Sequence, residues 1–116
     1  ASGWGRILCL TSVAARQPAS ALILSTTARA GVLGFAKSLS DEVAAQGIRV
    51  NGVRPGFIYT EMHADGGEPG RVDRIKGNIP LQRGGEPREV AAAIAWLLSD
   101  EASYATGTFI DVAGGR

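Results

Sequence analysis

The 116 residues are 45% hydrophobic and 20% charged, with a formal net charge of +1. That length suits one domain with a modest core, burying roughly 65% of the unfolded chain's surface, and the composition excludes a disordered chain. The small net charge gives no basis for a nucleic acid polymer or an acidic membrane as partner.

Residues 6–11 read RILCLT after Gly3 and Gly5. This short, almost continuously apolar run predicts a strand buried on both faces of a parallel sheet. Cys9, the only cysteine, lies inside it and is expected to be a buried, inert thiol. A polar turn over residues 12–18 leads to a long helix expected over residues 19–46. Leu24, Ala28, Val32, Phe35, Leu39 and Val43 recur at steps of three and four and predict its buried face. Gly47 ends it in a left-handed cap. Residues 48–54 alternate, with Ile48, Val50 and Gly52 against Arg49, Asn51 and Val53, and predict a second strand that Pro55 and Gly56 stop.

Residues 57–85 are rich in glycine and proline, leaving room for one short helix near residues 71–76. Pro87 opens another helix, on which Val90, Ile94, Leu97 and Leu98 form the buried stripe. A turn over residues 103–107 precedes a third strand, residues 108–112. The order strand, helix, strand, loop, helix, strand predicts an α/β layer of about three parallel strands with flanking helices. Residues 1–116 are expected to form one domain. No run reaches the ~18 apolar residues of a membrane span and no signal peptide is visible, so a cytoplasmic location and no membrane partner are expected.

Several of these segments together resemble the C-terminal half of a short-chain dehydrogenase/reductase. RILCLTS is similar to the strand that delivers that family's catalytic serine, which would be Ser12. Thirteen residues on, the family's Tyr-x-x-x-Lys falls on Ser25, Thr26, Thr27, Ala28 and Arg29. The segment AGVLGFAKSLSDEVAAQGIRVNGVRPGFIYTEM resembles the following helix and strand, with the family's Pro-Gly-x-Ile-x-Thr at Pro55, Gly56, Ile58 and Thr60. IPLQRGGEPREVAAAIAWLLSDEASYATGTFIDVAGG resembles its C-terminal stretch. The resemblance implies a Rossmann-like layer. It also implies hydride transfer with NAD(P), in which the tyrosine protonates a carbonyl while the lysine lowers its pKa and holds the nicotinamide ribose.

Two departures argue against that activity. Ser25 ends about 6 Å short of a tyrosine's reach by extended bond geometry, and an alcohol is a poor proton source near neutrality. Arg29 keeps a charge but never deprotonates. The Gly-rich turn that grips a dinucleotide is not found in these 116 residues. NAD(P) is therefore not expected as cofactor, and the domain reads as one lacking its dinucleotide-binding half. Without that half, the first strand's outer edge is bare, and the long helix is one on which family members pair. A homodimer or higher oligomer that completes the layer is expected.

A different chemistry is expected from Glu61, His63 and Asp65. On an extended stretch, alternating residues share one face. One imidazole and two carboxylates suit a divalent metal such as Zn or Mn, with Glu68 or Asp73 as a further oxygen. Such a metal activates bound water against phosphoesters. Residues 56–60 lie against the cofactor in the family, so Thr60, with Arg54, Arg71 and Arg74, is expected to hold phosphate groups. The leading expectation is thus a metal-assisted hydrolase of small phosphoesters, such as cyclic nucleotides, at a site between chains. The alternatives are an NAD(P)-dependent oxidoreductase and an oligomer without catalysis. A serine hydrolase built on Ser12 or Ser25 with His63 ranks lower, since no GxSxG elbow is present.

Overall fold

A computed structural model describes residues 3–15, 23–62 and 67–116. Strand β1 (Gly5–Leu10) is followed by helix α1 (Ile23–Val43), strand β2 (Ile48–Pro55), a short helix α2 (Arg71–Ile75), helix α3 (Pro87–Leu98) and strand β3 (Phe109–Val112). The three strands form one parallel sheet in the order β1-β2-β3. Gly5 stands opposite Ile48, and Gly52 opposite Phe109. This is the partial Rossmann-like layer read from the alternation of elements.

β2 sits in the middle, and Val50, Asn51, Gly52 and Val53 are all buried. Its alternation therefore does not separate a wet face from a dry one. Helix α1 covers one side of β2, and α3 packs across all three strands on the other. On the α3 side, Val53, Ile58, Val90 and Leu97 form the core, with Leu8, Ile94, Ile110 and Val112 packed around them.

Glycine at position 52 is imposed by packing. A Cβ there would stand 2.5 Å from two ring carbons of Phe109, well inside contact distance. Gly47 closes the turn after α1 at φ +80°, with its N–H bonded to Ala44 O at 3.0 Å, as its sequence position predicts.

The buried face of α1 differs from the expected one. Leu24 and Phe35 are 84% and 63% exposed, while Ala36 and Ser40 are fully buried. Arg29, Val32, Leu33, Ala36, Leu39, Ser40 and Val43 carry the inward line. Hydrophobicity alone misassigns this face, because the close approach of α1 to β2 selects small residues at the contact. The expected start of the helix at residue 19 lies outside the described residues. β1 and β3 each begin one residue away from expectation, and β2 runs one further, to Pro55.

Leu97 is 1% exposed at the centre of the core. Leu97→Ala is expected to lower unfolding free energy by about 2–5 kcal/mol, measured as a shift in the urea midpoint at constant slope.

Candidate functional site

In open parallel sheets, ligands bind outside the carboxyl ends of the strands. Here that edge gathers the end of β1, the first turns of α1 and the loop after β2. Thr11, at the end of β1, is buried, and its N–H bonds Val53 O at 3.0 Å. Ser12 follows, and its Oγ accepts the N–H of Ala14 at 3.1 Å. Arg29 reaches across from α1. Its Nη1 donates to Thr11 O at 2.8 Å, and its Nε donates to Ser25 Oγ at 3.0 Å. Thr11 Oγ1 returns a bond to Arg29 O at 3.3 Å. Helical spacing makes the Ser25–Arg29 contact possible, since residues four apart share a face. Arg29 thus joins Ser25 to the residue that precedes Ser12, and Ser25 and Arg29 are both half-buried. Thr26, beside Ser25, has a buried Oγ1 without a hydrogen-bond partner among the described residues.

The loop after β2 is held rigidly. Gly56 donates to Val112 O at 3.0 Å, and a Cβ at this glycine would stand 2.8 Å from Ala113. Phe57 and Tyr59 bracket an isolated parallel bridge between Ile58 and Gly85. Gly85 N–H bonds Phe57 O, and Tyr59 N–H bonds Gly85 O, each at 2.9 Å. The Tyr59 hydroxyl donates to Asp73 Oδ1 at 3.0 Å. A cleft of about 260 Å³ lies beside this loop, lined by Phe57, Leu81, Arg83, Glu89 and the backbone of residues 112–115.

An Arg83–Glu89 fork supports the far wall of that cleft. Arg83 Nη1 and Nη2 donate to the two carboxylate oxygens of Glu89 at 2.8 and 3.0 Å. Glu89 also accepts the N–H of Glu86 at 2.9 Å, tying down the start of α3. The guanidinium hydrogen bonds, then the Glu86 N–H, pull the Glu89 carboxyl down from 4.5 to about 2. Sequence reading missed this fork. Its one signal is an Arg six residues before a Glu across the Pro87 helix start, a spacing with no fixed geometry until the turn is known.

The described members of the expected metal and phosphate sets are committed elsewhere or exposed. His63 and Asp65 lie outside the described residues, and Glu61 and Thr60 are exposed. Among the described residues, no three His, Cys, Asp or Glu side chains are placed to hold a metal ion. Arg54 pairs with Asp111 at 2.5 Å and lies over the Phe109 ring at 5.5 Å. Arg71 stacks on Phe57 at 5.8 Å, and Arg74 forks onto Glu68 at 2.5 and 3.1 Å. Arg54 and Arg74 thus answer carboxylates of the chain itself, which removes the reason for assigning them a phosphate.

Glu89 binds its proton less readily in the folded chain than in the unfolded one. Its contribution to stability is therefore complete above about pH 4.5 and is lost as pH falls toward 2. In Glu89→Gln, the decline in thermal midpoint between pH 4.5 and 2 is expected to be shallower than in the unsubstituted protein, as scanning calorimetry would show.

Comparisons with known proteins give this arrangement its context. A family profile described as enoyl-(acyl carrier protein) reductase matches residues 1–116. An uncharacterized oxidoreductase of Escherichia coli, YgfF, is 62% identical over 113 residues, 97% of this chain and 46% of that protein. Acetoacetyl-CoA reductase of Cupriavidus necator is 39% identical over the same shares. The NADPH-bound structure of a short-chain oxidoreductase from Pseudomonas aeruginosa, with an atypical catalytic center, matches with a TM-score of 0.84 at 36% identity. That match covers 95% of this chain and 45% of that one. The chain thus spans about half the length of the proteins it matches.

These findings correct the leading functional expectation. The relatives are oxidoreductases, so the metal-dependent phosphoester hydrolase is withdrawn, and the small phosphoester substrate with it. The expectation against NAD(P) is overturned in the same way, since a solved neighbour at 36% identity is NADPH-bound. The Zn or Mn cofactor has no support among the described residues. By its profile over residues 1–116 and by its relatives, the chain belongs to the short-chain dehydrogenase/reductase family.

Proposed function

We propose that this chain forms the substrate-side half of an NAD(P)-linked oxidoreductase acting on a carbonyl–alcohol pair, with Ser12, Ser25 and Arg29 as its site. The observation that carries the reading is the Arg29 side chain, which joins the end of β1 to Ser25 at the carboxyl edge of the sheet.

The residues present suit one end of the cofactor. The backbone around Gly56 is pinned to β3 with no room for a side chain, giving a rigid wall at Pro55, Gly56, Phe57 and Ile58 for a nicotinamide. A glycine-rich phosphate turn is not among residues 1–116, so these residues account for the nicotinamide end of the cofactor only. Bound NAD(P)H supplies the hydride. Ser12 and Ser25 each keep a hydroxyl hydrogen to orient the substrate oxygen. Arg29 holds a fixed positive charge beside them, which favours the negative charge that develops on that oxygen. Ser25 is a far weaker acid than tyrosine, so protonation of the product is the slow step.

Two expectations accompany this reading. The exposed Leu24 and Phe35 of α1, with the outer edge of β1 unpaired among the described residues, provide the surface on which copies pair. Light scattering at micromolar concentration is expected to show a mass of at least two chains. The location is read as cytoplasmic; among the described residues, no helix is long and apolar enough to cross a membrane.

The reading is tested by titrating NADPH against the protein and following its fluorescence, then its oxidation with acetoacetyl-CoA. Saturable enhancement and slow oxidation are expected, and Ser25→Tyr combined with Arg29→Lys is expected to raise turnover by about 10²–10⁴-fold. No binding and no oxidation in either protein would overturn it.

A further inference from the structure

We infer that Asn51 and Gly52 form a self-modification site: when β2 leaves the sheet, the Asn51 side-chain amide is lost as ammonia through a ring closed by the Gly52 nitrogen, and the altered chain cannot return to this fold. The backbone nitrogen after an asparagine attacks the side-chain amide most readily when it belongs to glycine, because no Cβ crowds it. The chain has two asparagines, Asn51 before Gly52 and Asn78 before Ile79. Asn51 has the unshielded neighbour, whereas Ile79 is β-branched and stiff.

The reaction needs the Asn51 side chain to turn back onto the Gly52 nitrogen, and the fold engages both groups. Asn51 is buried; its Nδ2 donates to Ala105 O at 2.9 Å and its Oδ1 accepts the Thr108 N–H at 3.1 Å. The Gly52 N–H donates to Thr108 O at 2.9 Å. β2 is the middle strand, so releasing these bonds means opening the sheet, not fraying an edge. Packing also keeps the reactive pair in place. Asn51 holds the loop that returns to β3, and a Cβ at Gly52 would run into the Phe109 ring.

Once the strand is released, the Gly52 nitrogen bonds to Asn51 Cγ and the bond from Cγ to the side-chain nitrogen breaks. The hydrogen of the Gly52 N–H leaves with that nitrogen as ammonia. Water then opens the cyclic imide at either carbonyl, giving aspartate or its β-linked isomer. Aspartate sets a carboxylate against Ala105 O, where the fold needs a donor, and a buried charge so placed is strongly unfavourable. The β-linked isomer adds an atom to the main chain, so the pairing of residue 51 with Leu8 and that of Gly52 with Phe109 fall out of step.

The inference is independent of the oxidoreductase reading, and its test needs no turnover. The full chain is held at mildly alkaline pH, either folded in buffer or unfolded in guanidinium chloride. Peptide mapping by mass spectrometry follows the exchange of –NH2 for –OH at each asparagine. Asn51 is expected to convert about tenfold faster or more in the unfolded chain, as a reaction limited by opening requires. Asn78, exposed in the fold, is expected to stay intact in both. After dilution from denaturant, gel filtration and circular dichroism are expected to show intact Asn51 in the refolded pool and converted chains outside it. Gly52→Ala is compared in denaturant, where its ability to fold is immaterial, and is expected to slow conversion markedly. Equal rates in folded and unfolded chains would overturn the protection by β2. Faster conversion at Asn78, or an unchanged rate in Gly52→Ala, would overturn the role of Gly52. Converted Asn51 within the refolded pool would overturn the block to refolding.

Discussion

A middle strand with no solvent face constrains everything around it. β2 has neighbours on both edges and helices on both sides, so each of its side chains must be apolar, absent or bonded. Val50 and Val53 are fully buried. Gly52 gives its space to the Phe109 ring. Asn51, 2% exposed, donates to Ala105 O at 2.9 Å and accepts the N–H of Thr108 at 3.1 Å. Arg49 bonds three carbonyls around the end of α3. The polar residues of β2 thus bind the return loop that brings β3 alongside, since buried polar groups without such bonds carry a heavy desolvation penalty. The same strand runs directly into the loop that frames the cleft, so sheet order and site geometry share one support.

The sheet's carboxyl edge carries positive charge in two different states. Where a guanidinium meets a carboxylate, as at Arg83 and Glu89, the pair fastens one loop to a helix start. Where it meets only neutral oxygens, as at Arg29, it ties the end of β1 to the helix beside it. Arg54, Arg71 and Arg74 looked suited to phosphate in the sequence, but the fold commits Arg54 and Arg74 to the chain's own acids and Arg71 to an aromatic ring.

Much of the fold was legible because its signals are local. Gly47 announces a left-handed cap, Pro87 a helix start, and the run RILCLT a strand, although β1 is half-buried, with Ile7 and Leu10 exposed, and not buried on both faces as its apolar run suggested. The misassigned face of α1 was not legible, because small residues at 36 and 40 become buried only through contact with β2, beyond the turn at Gly47. The proposed site was legible only through the resemblance, which puts the family's catalytic positions at Ser12, Ser25 and Arg29. Its chemistry was not, because the loss of a tyrosine says what has gone and nothing about what replaces it. The metal reading was overturned by the oxidoreductase relatives: three alternating donors are a weak signal, with no spacing that binds a metal by itself.

Parallel pairing of β1, β2 and β3 also governs how the chain reaches this state. Gly5 finds Ile48 only after α1 has been traversed, and Gly52 waits for Phe109 across the whole glycine-rich excursion. No hairpin offers an early, cheap contact. Such distant pairings form late and slowly, so a nascent chain emerging from the ribosome exposes the apolar stretch of β2 until almost all of its partners have been synthesised.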